Sequence, residues 1–157
     1  MHFGTYNENK LLGEQAELEF MLKAVKEGFK VSKPHGDNAR YDFILDGGKG
    51  LKRVQLKSTH QLKKGYRITC LRGKNLRSHY TPSEVDAFVV YLAPIKVWYV
   101  FPMADIQNCK TLYFSRMQPP KHDRWSAYRE AWHLLSGGKV LPWYHKEDEK
   151  EDAREVA

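Results

Sequence analysis

The sequence is poor in the features that mark several common classes of protein. Its only two cysteines, Cys70 and Cys109, are too few for a disulfide framework and indicate a reducing, cytoplasmic setting. No apolar run approaches the roughly 18 residues of a membrane-spanning helix, and residues 1–5 lack the pattern of a secretory signal. The seven histidines are scattered, and neither a P-loop nor a Gly-x-Ser-x-Gly motif occurs. We therefore expect a cytoplasmic protein that is neither a zinc-finger protein, a P-loop NTPase nor a serine hydrolase.

Acidic residues are missing from one long stretch of the chain. Between Asp46 and Glu84 there is none, whereas ten basic residues occur. The whole chain has 26 Lys and Arg against 19 Asp and Glu, a net charge of +7, and residues 146–157 alone contribute −3. A surface of one sign attracts polyanions and gives salt-dependent binding, which favours a nucleic acid as partner. A membrane surface is the weaker alternative, because no basic amphipathic helix with an exposed apolar face is evident.

Within and just before this stretch, residues 41–46 and 51–58 predict two short, buried β-strands joined by a glycine-rich turn. Asp42 belongs to the first strand, and Gln55 and Lys57 belong to the second. Because side chains alternate along a strand, Gln55 and Lys57 point to the same face. An acid facing an amide and an ammonium can hold a divalent cation beside a phosphate. The spacing alone is weakly specific, so an ordinary exposed hairpin is the alternative interpretation.

The N-terminal segment predicts an amphipathic helix over residues 8–27, with a capping box at Thr5 and Glu8 and a stop at Gly28. At about 100° per residue, seven apolar side chains share one broad arc. These are Leu11, Leu18, Phe20, Met21, Leu22, Ala24 and Val25.

Glu17 falls inside this arc, where a carboxylate needs a metal, a cation or hydrogen bonds as a partner. Glu14 lies nearer the helix start, where the helix dipole already accounts for an acid. We therefore expect Glu17 to be the functional acid, with Glu14 as the second choice. A structural ion pair, for instance with Lys57, is the alternative role for Glu17.

The rest of the chain predicts further strands and a second helix. Strands are expected at 29–32, 66–71, 86–92, 96–101 and 112–115, a helical turn at 103–107, and a loop or short helix at 72–82. Trp125, Tyr128, Trp132 and Leu135 recur at helical spacing and predict a C-terminal helix whose aromatic stripe belongs to the core or a subunit contact. The length suits one domain over residues 1–144, followed by a charged, disordered tail at 145–157.

Several strings of residues resemble the PD-(D/E)XK nuclease superfamily. They are Leu-Gly-Glu-Gln-Ala-Glu at 12–17, Gly-Asp-Asn-Ala-Arg-Tyr-Asp at 36–42 and Val-Gln-Leu-Lys at 54–57. Together with Tyr-Arg-Glu-Ala-Trp at 128–132, they are most similar to the small homing endonucleases encoded in group I introns, which have Gln where most relatives have an acid. The resemblance implies an α/β fold with a restriction-endonuclease-like core, in which helices flank a central mixed β-sheet. Gln55 is the departure from the wider superfamily, and it implies weaker metal binding.

The resemblance also assigns roles to the predicted site. Asp42, Glu17, Gln55 and Lys57 are the expected catalytic residues. Mg²⁺, with Mn²⁺ as a substitute, is the expected cofactor, because hard cations prefer oxygen ligands. Its ligands would be Asp42, Glu17, the backbone carbonyl of Leu56 and the amide oxygen of Gln55. The residues expected to contact DNA are basic: Arg40, Arg53, Lys63, Lys64, Arg67, Arg72, Lys74 and Arg77.

The expected activity is site-specific, metal-dependent cleavage of double-stranded DNA, as in intron homing. Cutting both strands calls for two active sites, so a homodimer or homotetramer is expected. A non-cleaving nucleic-acid-binding module and a repair or junction-resolving nuclease are alternatives. A basic assembly protein that uses its Trp-rich segment to bind a protein partner is a third possibility.

Overall fold

The computed structural model describes residues 7–61, 65–73, 75, 77–115 and 124–138. Its first element is helix α1, Glu8–Lys26. The N-cap is Asn7, whose side-chain oxygen accepts a hydrogen bond from the backbone N–H of Lys10 at 3.3 Å. The capping box predicted at Thr5 is therefore wrong in position, and Thr5 itself lies outside the described residues. Gly28 follows the helix with φ of +92°, as a stop signal should.

Five strands form the central sheet, which is mixed. In chain order they are β1 (Lys30–Ser32), β2 (Phe43–Asp46), β3 (Leu51–Thr59), β7 (Ala87–Leu92) and β8 (Val97–Pro102). Their spatial order is β1-β2-β3-β7-β8, with β3 and β7 parallel and the other neighbours antiparallel. The hairpin expected at 86–101 is confirmed as β7 and β8. The strands expected at 41–46 and 51–58 are confirmed as β2 and β3.

Smaller strands lie beside this sheet. The strand expected at 66–71 is found as β4 (Gly65–Thr69), which pairs with β9 (Thr111–Ser115) in an antiparallel ribbon. The stretch expected to be a loop or short helix at 72–82 instead contributes to a short pair, β5 (Leu71–Arg72) with β6 (Ser78–His79). A short helix α2, Met103–Ile106, confirms the helical turn expected before β9.

Each face of the central sheet has its own apolar cluster. One face packs against α1 through Phe20, Phe43 and Leu45, together with Trp98 and Trp132. The other face, which includes Phe88, Val90, Tyr99 and Phe101, packs against α2 and the β4–β9 ribbon. The sheet is therefore the middle of three layers, and β7 is buried along its whole length.

The broad apolar arc predicted for α1 is wrong. Only a narrow stripe of the helix is buried, formed by Ala16, Phe20 and Ala24 at intervals of four residues. Leu18, Leu22 and Val25 are 63%, 52% and 58% exposed. Among the described residues, the helix packs on the sheet with one side only, and no second helix covers its flanks.

The predicted C-terminal helix is also wrong. Two 3₁₀ turns, Ser126–Tyr128 and Trp132–Ser136, take its place. Between them Arg129 forms a β-bridge with Tyr99, and the N–H of Glu130 donates to the carbonyl of Trp98 at 2.8 Å. These bonds to β8 compete with helix formation and hold Glu130 at a φ of +50°. The expected core role of the aromatic stripe is confirmed for the buried Trp125 and Trp132.

In the described part of the chain, no helix is long and apolar enough to span a membrane. The predicted charged tail at 145–157 lies outside the described residues.

Candidate active site

Asp42 is fixed where the chain enters β2. Its backbone N–H donates to the carbonyl of Val54 at 2.9 Å. Its carboxylate oxygen Oδ2 accepts a hydrogen bond from the backbone N–H of Leu56 at 2.8 Å. The acid is thus held against β3 from both its main chain and its side chain, directly beside the peptide unit that joins Gln55 to Leu56.

Gln55 and Lys57 point to the same side of β3, as predicted. They pair in register with Phe88 and Val90, whose side chains belong to the cluster on the ribbon side of the sheet. Gln55 is only 8% exposed, and its Nε2 donates to the backbone carbonyl of Leu56 at 3.2 Å. The amide of Gln55 and the carbonyl predicted to bind metal therefore contact one another.

Glu17 lies on α1 and reaches the same region, but its partner is not the one considered from the sequence. It forms an ion pair with Lys33, which follows β1, rather than with Lys57. The Lys33 ammonium also lies 5.6 Å from the centre of the Phe43 ring. Glu17 is partly exposed, at 32% of its side chain, whereas Glu14 is fully on the solvent side of the helix. The structure therefore favours Glu17 over Glu14 as a neighbour of Asp42.

Electrostatics link these residues into one site. Burial is the main cause that raises the pKa of Asp42 above its usual range. The hydrogen bond from Leu56 opposes this rise in the pKa, the negative charge of Glu17 adds to it, and the charges of Lys57 and Lys33 oppose it. Glu17, Lys57 and Lys33 thus all lie near enough to Asp42 for their charges to act on its carboxyl group.

Tyr80 and Lys33 are members of this site that the sequence analysis missed. The Lys57 ammonium lies 5.9 Å from the centre of the Tyr80 ring, on the ribbon side of the sheet. Burial and then the charge of Asp42 raise the pKa of Tyr80 to about 12, so the phenol is neutral at physiological pH. Tyr80 lies within the stretch at 72–82 that was predicted to be a loop or short helix, and its burial was not predicted.

Arg40 and Arg72, two predicted DNA contacts, share one acid. The Nε of Arg40 lies 3.6 Å from Oε1 of Glu84, and a terminal nitrogen of Arg72 lies 3.7 Å from the same oxygen. The Arg72 guanidinium also lies 5.8 Å from the Tyr80 ring centre. Both arginines are therefore close to the candidate site, held by contacts longer than a normal hydrogen bond.

Arg53, by contrast, is engaged in the fold. Its Nε and a terminal nitrogen donate to the two carboxylate oxygens of Asp86 at 2.9 and 3.0 Å. The other terminal nitrogen donates to the carbonyl of Ser83 at 2.6 Å. These hydrogen bonds lower the pKa of Asp86. A contact between Arg53 and a phosphate remains a prediction, and it would have to share these donors.

The other predicted DNA contacts are dispersed. Arg67 is exposed on β4, and Arg77 is exposed just before β6. Lys63, Lys64 and Lys74 lie outside the described residues, so their roles also stay predictions.

The donor atoms suit a hard cation, although few of them are carboxylates. Within the described ranges, no three His, Cys, Asp or Glu side chains converge on a common point. The oxygens available near Asp42 are its own carboxylate, that of Glu17, the carbonyl of Leu56 and the amide of Gln55. Oxygen-only sets of this kind suit Mg²⁺, and a cation there would oppose the two effects that raise the pKa of Asp42, namely its burial and, to a lesser extent, the charge of Glu17. The residues present therefore fit a Mg²⁺ ion.

Comparison with known proteins gives three findings. Residues 7–135 match the protein family described as PD-(D/E)XK endonuclease. The structure is similar to that of the bacterial homing endonuclease I-Ssp6803I, with 32% identity and a TM-score of 0.71, over 82% of this chain and 94% of the other. It also resembles Hjc, a Holliday junction resolvase from the hyperthermophilic archaeon Archaeoglobus fulgidus, with 15% identity and a TM-score of 0.44 over 66% of this chain and 84% of the other. The second likeness is too weak to bear on function. No match was found among curated proteins.

The likeness to I-Ssp6803I and the family match confirm the fold expected from the sequence. The mixed sheet with α1 on one face is the α/β, restriction-endonuclease-like arrangement. The resemblance drawn from the strings at 12–17, 36–42 and 54–57 is confirmed with it.

Proposed function

Because the chain belongs to the PD-(D/E)XK endonuclease family, we propose that it is a Mg²⁺-dependent endonuclease that cuts double-stranded DNA at a specific site, as a homing enzyme does. The observation that carries the proposal is the position of Glu17 and Lys57 near Asp42, whose carboxylate accepts a hydrogen bond from the backbone of Leu56. Two further facts support it, namely the absence of acids between Asp46 and Glu84 and the similarity to a bacterial homing endonuclease at 32% identity.

In this proposal Asp42, Glu17, the carbonyl of Leu56 and the amide oxygen of Gln55 hold the Mg²⁺ ion, and Mn²⁺ can replace it. When bound, the metal neutralises phosphate charge and increases the acidity of water. Asp42 suits the role of principal ligand because the hydrogen bond from Leu56 fixes its orientation. The neutral Gln55 leaves the site with one negative charge fewer than an acid would give, which makes metal binding weaker.

Lys57 orients the attacking water, helps remove its proton and shields the charge that develops on the phosphate. The Tyr80 ring beneath its ammonium limits where this long side chain can lie. Arg40 and Arg72 lie beside the site and bind the flanking phosphates in this proposal. Both are available for this role because Glu84 holds them only loosely.

We further propose that two copies associate, as a homodimer or within a homotetramer, so that both strands are cut. An exposed apolar patch on α1 supports this proposal, because such patches commonly mark contacts between proteins. The patch on α1 consists of Leu18, Leu22 and Val25. Beside it lies a groove of about 360 Å³ that is lined by Leu18, Leu22 and Tyr91 among others. A symmetric assembly would recognise a nearly palindromic target.

Replacing Leu22 with Glu tests this assembly. We expect the variant to sediment as a monomer and to nick rather than sever duplex DNA, because a charge in an apolar contact lacks a partner. Leu51→Glu is the matched control, since Leu51 is 64% exposed but lies on β3, and it should leave the assembly unchanged. An unaltered sedimentation mass for Leu22→Glu would show that this patch is not the contact.

The activity itself is tested by incubating the protein with a randomised duplex DNA library and Mg²⁺, then sequencing the ends produced. We expect ends at one defined sequence, and none when the metal is removed with EDTA. Binding without cutting in both Mg²⁺ and Mn²⁺ would instead favour a non-cleaving binding module, the alternative that rests on a neutral Gln55 where most relatives have an acid. A cytoplasmic site of action is part of the proposal and rests on the low cysteine content of the sequence.

A further inference from the structure

The β4–β9 ribbon has one buried face and one solvent face. Its inward side chains, Tyr66, Ile68, Leu112 and Phe114, are at most 4% exposed and pack against the central sheet. Its outward positions form three cross-strand pairs. These are Gly65 with Ser115, Arg67 with Tyr113, and Thr69 with Thr111. None of the six is acidic.

The central outward pair is unusual for a surface that only covers a core. Arg67 and Tyr113 lie directly opposite each other, with the guanidinium carbon 5.8 Å from the ring centre. Tyr113 is 64% exposed, although it is a large aromatic residue. A cation–π contact of this length limits where the guanidinium can lie and leaves its N–H groups available for hydrogen bonds. The pair therefore presents hydrogen-bond donors beside an exposed ring to whatever lies outside the ribbon.

One end of the ribbon is close to the candidate active site. Cys70 directly follows Thr69, and its N–H donates to the carbonyl of Lys110 at 2.9 Å. Cys70 belongs to the same apolar cluster as Tyr80, whose ring lies beneath Lys57. Burial raises the pKa of Cys70 to about 12, and the charge of Lys57 offsets part of that rise. The Thr69–Thr111 end of the ribbon is thus near Lys57.

The shape and charge of the ribbon suit the major groove of DNA. That groove is about 12 Å wide and admits a two-stranded β-ribbon. The ribbon strand β4 also lies within the stretch between Asp46 and Glu84 that contains no acid, so its charge is complementary to DNA.

We propose that the β4–β9 ribbon enters the major groove of the DNA target and that Arg67, positioned by its contact with Tyr113, reads a guanine. The proposal rests on the proposed function, because it deepens the same interaction with DNA. An arginine that makes two hydrogen bonds to O6 and N7 of guanine is the commonest specific contact in this groove. The three outward pairs recur every two residues, about 6.8 Å, which matches two base pairs at roughly 3.4 Å each. Thr69 and Thr111 therefore face the base pairs nearest the cut, and Arg67 reads about two base pairs further out.

The test is a binding selection from a randomised duplex library, run for the wild type and for Arg67→Lys, Tyr113→Phe and Tyr113→Ala. Selection by binding does not depend on cleavage. Arg67→Lys keeps the charge but loses the two-pronged geometry. We expect it to lose roughly 5- to 150-fold discrimination at one or two adjacent positions, with an unchanged slope of affinity against salt. Tyr113→Ala should lose discrimination at the same positions, whereas Tyr113→Phe, which keeps the ring, should retain it.

Lys26→Ala is the matched control for charge. Lys26 is exposed in the last turn of α1, on the opposite face of the sheet from the ribbon, and its loss should leave every position of the selected sequence unchanged. Two results for Arg67→Lys would overturn the proposal. An equal loss of discrimination at all positions would indicate a phosphate contact, and no loss of discrimination would indicate no contact. A wild type that binds no duplex DNA would overturn the proposed function itself. If the wild type and the ribbon variants select the same sequence, only the proposed role of the ribbon is overturned.

Discussion

The Asp42→Asn variant should bind its DNA target as tightly as the wild type while cutting it at least about 100-fold more slowly. Replacing a residue that only supports a metal ligand already lowers metal affinity or activity by roughly 10- to 100-fold. Loss of the principal ligand should therefore lower activity further. Asn keeps the shape of Asp42 and an oxygen that can accept the hydrogen bond from Leu56. The measurement is the single-turnover rate of cleavage, with affinity determined separately in Ca²⁺ or without metal.

Stability provides the internal control for this variant. The pKa of Asp42 is raised in the fold, chiefly by burial. For an acid, a raised pKa means that the ionised form is less stable in the folded chain than in the unfolded one. At pH values above that pKa the ionised Asp42 therefore destabilises the fold, and the cost disappears as the pH falls through it. Asp42→Asn should consequently unfold at a temperature no lower than the wild type at neutral pH in EDTA.

Asp46→Asn is the matched substitution at the other end of β2. Asp46 is partly buried, and its side chain accepts a hydrogen bond from the N–H of Gly48 at 2.9 Å. Its replacement should leave the cleavage rate unchanged. Wild-type cleavage by Asp42→Asn would refute the assignment, whereas a marked fall in its unfolding temperature would show that Asp42 is a structural residue.

The second large effect concerns stability. Phe20→Ala should lower the free energy of unfolding by about 3–5 kcal/mol, the usual loss for a buried Phe. Phe20 is 0% exposed, and its ring centre lies 4.7 Å from that of Phe43 and 6.1 Å from those of Trp98 and Trp132. Since domains are commonly stable by only about 5–15 kcal/mol, this is a large share of the total. Denaturant unfolding monitored by tryptophan fluorescence provides the measurement.

Leu18→Ala is the control on the same helix, because Leu18 is 63% exposed. It should change the unfolding free energy by no more than about 0.5 kcal/mol. Both variants are measured at a protein concentration low enough to keep the chain monomeric, since Leu18 belongs to the patch proposed for association. Similar losses of unfolding free energy for the two variants would mean that α1 buries the broad arc expected from the sequence. That result would require the helix to pack on the sheet in a different orientation. Phe20 is also one helical turn after Glu17, so its loss should lower cleavage activity by loosening the position of that acid.

The parts of the molecule that the sequence predicted are those with strong local signals. The glycine-rich turn and the alternating segments around it predicted β2 and β3 and the common face of Gln55 and Lys57. The asparagine cap, by contrast, lies two residues from the predicted one, because several polar residues near the helix start can each supply a capping oxygen.

Contacts between distant segments account for what was missed. Lys33 pairs with Glu17 from a different element, and nothing in the helical pattern identifies that partner. The spacing of Trp125, Tyr128 and Trp132 is compatible with a helix, but bonds from Arg129 and Glu130 to β8 prevent one. Likewise β4 pairs with β9, more than forty positions later in the chain, so the ribbon's outward face was not visible in either strand alone.

The parallel pairing of β3 with β7 has a consequence for the order of folding. These two strands can join only after the chain between them, residues 60–86, has closed on itself. Such long-range pairing is slow, because the entropy of loop closure is lost before any contact is gained. The bonds between Arg53 and Asp86 fasten the last residue of this crossover to the first half of β3. The strand that carries Gln55 and Lys57 is therefore completed late, and the nascent chain remains without an assembled site until β7 has been made and docked.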